Sequence, residues 1–242
     1  MTDFNRRDIL RGSALAASLL APALPLIASQ AKSTPQTKEG EEPEVTATED
    51  LMREHGVIRR ALLVYFQTAP KLRQNAASID AAALHRTAEL FRKFGEDYHE
   101  RMLEEQHIFP IVRKMGPELA RYADTLTEQH HRGREVTDYI LAVTATGKVS
   151  AAHAEPLARV FDGFTLMYEN HAAREDTIVF PAWKKNYSNK QLDEISDQFE
   201  DIEHRMFGKD GFEDAVKTIS TVEGQLGFAD LAQFTPPPPP KP

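Results

Sequence analysis

The sequence contains no cysteine among its 242 residues. Without thiolates the chain cannot form cysteine-based zinc sites, cysteine-ligated iron–sulfur clusters, covalently attached c-type haem or a disulfide scaffold. Any metal ion must therefore be held by histidine, carboxylate, tyrosine or backbone oxygen.

The chain also lacks an excess of positive charge, with 29 Lys and Arg against 37 Asp and Glu and a formal net charge of -8. Nonspecific binding to nucleic acid depends on neutralising phosphates with basic side chains, so we expect no nucleic-acid partner. Anionic membranes are unsuitable partners for the same reason. Hydrophobic residues nonetheless make up 41% of the chain, which is enough to build one sizeable core.

No apolar run reaches the roughly 20 residues that a membrane-spanning helix needs. The apolar stretch at residues 13–28 is interrupted by prolines and follows the basic pair Arg6 and Arg7. This order is the layout of an export signal, and the paired arginines resemble the twin-arginine signal. We therefore predict that residues 1–31 direct export to the periplasm through the twin-arginine machinery, with no stable membrane insertion after processing. An N-terminal membrane anchor is the alternative.

Four segments carry apolar residues at alternating spacings of four and three, the period of an amphipathic helix. These segments span about residues 48–70, 80–114, 117–144 and 151–185. Short connections favour antiparallel neighbours, so we predict an all-α fold, an up-down four-helix bundle over residues 48–186. Weaker helical patterns predict a C-terminal helical cap over residues 187–233. Residues 32–47 are predicted to be a flexible linker, and residues 234–242 a proline-rich tail.

The fourth segment carries the most informative stripe. Its apolar face begins at Leu157 and continues at the same spacing through His171 and Glu175. An imidazole and a carboxylate four residues apart lie roughly 40° apart around a regular α-helix, so both can reach one metal ion or one proton-transfer site. In isolation, a core histidine satisfied by the neighbouring glutamate explains the pair equally well.

The end of the second segment repeats the end of the fourth. In both segments a glutamate, Glu104 or Glu175, stands five residues before a Phe-Pro pair. The histidine is displaced, however, because His99 lies five residues before its glutamate, which is roughly 140° away on a regular α-helix. The two side chains can converge only if a π-bulge absorbs one residue. Without a bulge, Glu100 takes the place equivalent to His171, and both possibilities stay open.

The first and third segments each place one histidine on the apolar stripe. The first stripe consists of Leu51, His55, Ile58, Leu62, Tyr65 and Ala69. On the third, His130 is followed by Gly133, which leaves room for a close neighbour or for a bound cluster. Ionisable side chains at the centre of a bundle need a partner that offsets their desolvation. Imidazole together with carboxylate favours iron, manganese or zinc, and paired carboxylates in a helix bundle suit a two-metal site.

These residues resemble the hemerythrin-like (HHE cation-binding) family over about residues 49–185. The matching pattern is Glu54-His55, His99 with Glu104, Gln129-His130, and His171 with Glu175 followed by Phe180-Pro181. The resemblance implies a non-haem di-iron centre in which the four histidines are terminal ligands and the two glutamates are bridges. One departure is Arg134, which stands where the oxygen-carrying hemerythrins have a second histidine on the third helix. One ligand fewer leaves more open coordination and argues against simple oxygen storage.

The resemblance predicts a di-iron protein that binds or reacts with oxygen, nitric oxide or peroxide, with manganese and zinc as alternative metals. A second hypothesis is a di-iron oxidoreductase of peroxidase or ferroxidase type, with Tyr168, one turn from His171, as a hydrogen-bond or redox partner. In a third, the polar stripe satisfies itself and no metal binds.

The remaining histidines are predicted to lie at the surface or in the cap: His85, His107, His131, His153 and His204. Among them His107 is a second candidate ligand, because it lies three residues after Glu104 and an E-x-x-H pair is a ligand pattern in other di-iron bundles.

Overall fold

The computed structural model describes residues 45–241, which contain six helices and no strand. The predicted all-α helical bundle with capping helices is confirmed. The export signal predicted for residues 1–31 and most of the predicted linker lie outside the described residues. Within residues 45–241, every helix is too short or too polar to cross a bilayer.

The helices follow one another along the chain as α1 (Ala47–Asn75), α2 (Ala81–Leu90, then Phe91–Ile108 and Phe109–Val112), α3 (Pro117–Thr144), α4 (Ala151–Arg174, then Glu175–Val179 and Phe180–Lys184), α5 (Asn189–Phe207) and α6 (Gly211–Leu226). The first four form the bundle, and α5 and α6 pack on it. Short 3₁₀ turns lie at Ala76–Ser78 and Leu231–Phe234.

Helix α1 continues beyond Pro70, where the sequence predicts its end, and stops at Asn75. A proline inside a helix removes one backbone hydrogen bond and crowds the preceding turn. Burial of Ala69 and Leu72 on either side of it offsets this cost. Asn75 then ends the helix, because its side chain accepts a hydrogen bond from the backbone N–H of Ala77.

Two of the bundle helices contain a π-helical stretch that ends directly before the Phe-Pro motif. In α2 the π-helical stretch is Phe91–Ile108, and in α4 it is Glu175–Val179. The backbone N–H of Phe109 donates to the carbonyl of Glu104, five residues earlier, and Phe180 donates to Glu175 in the same way.

The proline that follows each phenylalanine explains why the turn directly before it is wide. Pro110 and Pro181 lack an N–H, and in a regular α-helix their rings would collide with the carbonyl four residues earlier. A wider turn relieves that collision. The bulge predicted as one alternative for the second helix is therefore present. The fourth helix keeps regular spacing between His171 and Glu175, as expected, but widens directly afterwards.

An aromatic layer fills the end of the bundle away from the α2 and α4 motifs. Tyr65 of α1 stacks on Phe161 of α4 with ring centroids 4.5 Å apart, and Phe91 contacts Phe164 at 5.0 Å. All residues of the predicted α1 stripe are buried: Leu51, His55, Ile58, Leu62, Tyr65 and Ala69. The histidines therefore begin where the aromatic layer ends.

Gly133 of α3 faces the ring of Tyr168 on α4. A Cβ atom at position 133 would lie 2.6 Å from Tyr168 Oη, closer than real Cβ contacts allow. Of the two explanations that the sequence offers for this glycine, room for a close neighbour is therefore the one that the packing supports.

We expect Gly133→Ala to lower the free energy of unfolding by about 1–3 kcal/mol, because Tyr168 must move to admit the methyl group. Chemical denaturation measures the change. Gly163→Ala is the matched control, since a Cβ there meets nothing within 4 Å and alanine favours the helix by about 0.5–1 kcal/mol. Equal effects at both glycines would contradict the steric explanation.

Candidate metal centre

Four buried histidines, one from each bundle helix, meet in two pairs. Nε2 of His55 lies 3.0 Å from Nε2 of His99, and Nε2 of His130 lies 3.1 Å from Nε2 of His171. None of the four residues is more than 3% exposed. The nitrogens that face each other are thus the same atom of each ring.

The other ring nitrogen, Nδ1, contacts an oxygen acceptor in every case. The contacts are His55 to Asp176 at 2.7 Å, His99 to Glu54 at 2.6 Å, His130 to Glu105 at 2.9 Å and His171 to Gln129 at 2.9 Å. An acceptor on Nδ1 assigns the ring proton to that atom and leaves the lone pair on Nε2. Two such lone pairs about 3 Å apart repel each other unless a cation or a proton lies near them.

Two fully buried carboxylates, those of Glu104 and Glu175, lie between the histidine pairs. Each directs one oxygen to each pair, with distances to Nε2 of 3.4 Å (Glu104 Oε1 to His99), 3.2 Å (Glu104 Oε2 to His130), 3.0 Å (Glu175 Oε1 to His171) and 3.4 Å (Glu175 Oε2 to His55). None of these four oxygens has a hydrogen-bond partner among the described residues. A buried carboxylate without hydrogen bonds is strongly unfavourable unless it ligates a cation.

The pKa values of the imidazoles show how strongly this environment attracts positive charge. Burial lowers the pKa of His130, but the carboxylates of Glu100 and Glu104 outweigh it and raise the pKa to about 10. Burial likewise lowers the pKa of His99, and Glu104 outweighs it, so that the pKa lies well above its ordinary value.

The carboxylates are held in the ionised form by the same contacts. Burial raises the pKa of Glu175, but the imidazole of His171 reverses the shift and leaves that pKa well below its ordinary value. For Glu104, burial and Glu175 raise the pKa while His99 lowers it further, so the net shift is downward. The centre therefore offers anionic oxygens to a cation.

The two halves of the centre repeat the same arrangement. The phenylalanine of each Phe-Pro motif stacks on a histidine of a neighbouring helix: Phe180 on His55 at 5.5 Å and Phe109 on His130 at 5.4 Å. The residue directly after each central glutamate, Asp176 or Glu105, accepts from Nδ1 of that stacked histidine.

A scan against family models matches residues 46–183 to the hemerythrin HHE cation-binding domain. The chain belongs to this family. It is also 41% identical to uncharacterized proteins of Mycobacterium bovis and of two Mycobacterium tuberculosis strains, and each alignment covers 96% of this chain and 91% of the relative. No solved structure matches the chain.

The donor set fits the cation that the family description implies. Two groups of buried donors lie close enough together to hold a metal ion: Glu104, His130, His171 and Glu175 form one, and His55, His99 and Glu104 form the other. A bound cation would satisfy both the facing lone pairs and the orphaned carboxylate oxygens, which have no hydrogen-bond partner among the described residues. All six predicted ligand residues are thus brought together. His99 lies beside Glu104, whereas Glu100 contacts Tyr168 and Arg134 and faces Nδ1 of His130 at 4.0 Å.

The arginine on the third helix of this hemerythrin-like bundle supports an outer carboxylate. Arg134 contacts Glu105 at 2.5 Å and Glu100 at 3.3 Å. Its counterpart is Arg59, four residues after His55, which contacts Asp176 at 2.6 Å. Burial raises the pKa of Glu105, but His130 and Arg134 outweigh it and lower the pKa to about 2. Arg134, which stands where oxygen-carrying hemerythrins have a second histidine, therefore holds the carboxylate of Glu105, and Glu105 orients His130.

Tyr168 lies beside the centre, as expected from its spacing to His171. Its hydroxyl donates a hydrogen bond to Glu100, and its ring centroid is 5.1 Å from that of His171. Burial, reinforced by Glu100, raises the pKa of Tyr168 well above its ordinary value. The phenol is therefore a protonated donor whose partner carboxylate lies one residue after His99.

The second candidate histidine, His107, lies outside the cluster. Its ring packs against Phe199 of the cap at 5.6 Å, and burial lowers its pKa. The outer acceptors Asp176 and Glu105 are not predicted from the sequence, because they do not lie on the apolar stripes. The signal that identifies them is their position directly after the repeated glutamates.

A further buried carboxylate, Glu96, lies one turn from the centre and is fully buried. Thr137 Oγ1 donates to it at 2.5 Å, and Arg92 Nε lies 3.0 Å from its second oxygen. Burial, with a contribution from the Glu100 charge, raises its pKa to about 7. Between pH 4.5 and 7 the folded protein keeps a proton here that the unfolded chain has released.

Glu96 should therefore make the protein less stable as the pH rises through about 7. We expect the free energy of unfolding of Glu96→Gln, relative to that of the parent, to increase by about 3 kcal/mol as the pH rises from 4.5 to 8. Urea denaturation of metal-free protein across this range measures the difference. Glu128→Gln, at a side chain that is 73% exposed, is the control and should run parallel to the parent. A parallel Glu96→Gln curve would contradict the buried-proton interpretation.

Proposed function

We propose that this protein carries a non-haem di-iron centre that binds or reacts with a small ligand such as oxygen, nitric oxide or peroxide. The observation that supports the proposal most directly is the position of Glu104 and Glu175, each of which directs one oxygen to each histidine pair. Carboxylates in that position suit bridges between two metal ions in a helix bundle. Imidazole with carboxylate is a donor set suited to iron, and manganese and zinc are the alternatives.

The number of donors favours reactivity at the metals. The position at His130 and His171 would receive two imidazole nitrogens and two carboxylate oxygens, and the position at His55 and His99 no more than that. Both sets are smaller than the six ligands of a closed octahedral ion. Arg134 contacts Glu105 at 2.5 Å instead of adding a further imidazole. The histidines are at most 3% exposed, so the chain admits only a small ligand to the remaining positions.

When bound, a reduced iron pair supplies the electrons and open coordination positions for binding or reducing such a ligand. The chain supplies the surroundings. Phe109 and Phe180 cover two of the imidazoles and exclude water, and the outer acceptors hold each ring in one orientation. Tyr168 presents a buried hydroxyl, held by Glu100, next to His171.

We expect about two iron atoms per chain after anaerobic loading, as measured by elemental analysis, consistent with a two-metal bundle site. Metal at a hundred times its Kd should raise the free energy of unfolding by about 2.7 kcal/mol, and a chelator should remove that gain. His55→Gln should weaken metal binding at least about tenfold. His107→Gln is the matched control and should bind like the parent. A parent protein that takes up no metal, or equal losses in both variants, would refute the proposal.

A di-iron oxidoreductase is the second candidate, and the Tyr168–Glu100 contact favours it because a buried hydroxyl beside the centre can donate a proton or an electron to a reaction. In the presence of excess reductant, which supplies the two electrons that each peroxide needs to form water, we expect iron-loaded protein to consume peroxide over many turnovers. Tyr168→Phe should slow this by about 10²-fold, the usual scale for a positioned proton donor. Loading of iron should be unchanged in the variant. A single stoichiometric reaction followed by arrest would favour ligand binding over enzymatic turnover.

A further inference from the structure

Each outer carboxylate of the centre is held by a second group as well as by its histidine. Asp176 contacts Arg59 at 2.6 Å, and Glu105 contacts Arg134 at 2.5 Å. The third outer carboxylate, Glu54, accepts instead from the hydroxyl of a tyrosine.

That tyrosine is Tyr98, whose hydroxyl donates to Glu54 Oε1 at 3.1 Å. The other oxygen, Oε2, lies 2.6 Å from Nδ1 of His99. Tyr98, Glu54 and His99 are all at most 1% exposed. The orientation of the His99 ring is therefore linked through one carboxylate to the orientation of the Tyr98 ring.

The Tyr98 ring is packed by the C-terminal cap. Phe207, the last residue of α5, meets it edge to face with ring centroids 5.4 Å apart. The same cap ring contacts Phe94, one turn earlier on α2, at 6.3 Å. These contacts tie the end of α5 to the stretch of α2 that carries His99.

The turn between α5 and α6 is built to hold Phe207 in that place. Gly208 ends α5 with a φ of 71°, a conformation that favours glycine. A Cβ atom at Gly211 would collide with the Phe207 ring. The backbone N–H of Phe212 donates to the buried carboxylate of Glu203 at 2.8 Å, and the guanidinium of Arg53 lies 4.7 Å from the centre of the Phe212 ring.

We propose that the cap is a positioning element of the metal centre and that Phe207 acts on His99 through Tyr98 and Glu54. The family match ends at residue 183, so the proposal assigns a role at the centre to a segment beyond the matched domain. Its metal measurement rests on the proposed di-iron function, and its imidazole measurement does not.

The alternative is that the cap only adds stability. Phe199 separates the two explanations, because it lies on the same helix and packs on Trp183 at 6.2 Å and on His107 at 5.6 Å. Phe199→Ala therefore removes the same side chain from the cap without touching the contact to Tyr98. Phe207→Ala and Tyr98→Phe remove the ring contact and the hydroxyl, respectively.

The first measurement uses the full chain without metal. Hydrogen exchange of the His99 Nδ1–H, followed by NMR of ring-labelled protein, reports whether Glu54 still accepts from it. We expect exchange to accelerate by at least about tenfold in Phe207→Ala and in Tyr98→Phe, the size of effect that loss of an outer contact commonly has. Phe199→Ala and the conservative Phe207→Tyr should exchange like the parent.

The second measurement is the rate at which iron-loaded protein loses metal to a chelator. We expect about half of the iron to leave at least about tenfold faster in Phe207→Ala and Tyr98→Phe, and the other half to leave at the parent rate. Equal acceleration in Phe199→Ala, or parent-like exchange of the His99 Nδ1–H in Phe207→Ala, would overturn the proposal. If the parent binds no metal, the proposed function fails, and the proton measurement still decides this inference.

Discussion

The organisation of this protein depends on burying four imidazoles and two carboxylates in one cluster. In each imidazole pair the two Nε2 atoms lie about 3 Å apart. The carboxylates of Glu104 and Glu175 accept no hydrogen bond from the described residues. Such an arrangement is costly in a low-dielectric interior unless a cation occupies it. The second layer, in which every Nδ1 meets an oxygen, preserves that arrangement by preventing the rings from turning away.

The two halves of the centre use nearly the same residue types to hold the histidines in place. An acid or amide precedes the histidine on α1 and α3, at Glu54 and Gln129, and each accepts from the histidine of the adjoining helix. An arginine four residues after the histidine of α1 or α3 contacts the acid that follows a central glutamate: Arg59 contacts Asp176 of α4, and Arg134 contacts Glu105 of α2. The halves differ at the acceptor before the histidine: Glu54 is a carboxylic acid that is held by Tyr98, whereas Gln129 is an amide.

The sequence predicts His55, His130, His171 and Glu175 because each lies on an apolar stripe of regular period. It predicts His99 and Glu104 from the repeated Glu-to-Phe-Pro ending and from the family resemblance. It leaves His99 and Glu100 as alternatives, since the choice depends on backbone geometry that becomes definite only when α2 packs. The outer acceptors cannot be read from periodicity, because they lie beside the stripe and gain their role from neighbouring helices. Glu96 is unpredictable for the same reason: Thr137, its partner, lies on α3.

The π-helical stretch of α2 allows this helix to contain one residue more than α4 between its two donors. His99 and Glu104 are separated by one residue more than His171 and Glu175, yet all four side chains reach the same centre. The wide turn accommodates the extra residue without rotating the glutamate out of place. An insertion inside a bundle helix would ordinarily disrupt every contact beyond it. Here the π-helical stretch Phe91–Ile108 accommodates it, so two segments that carry the same motif can differ in length while their donors stay in register.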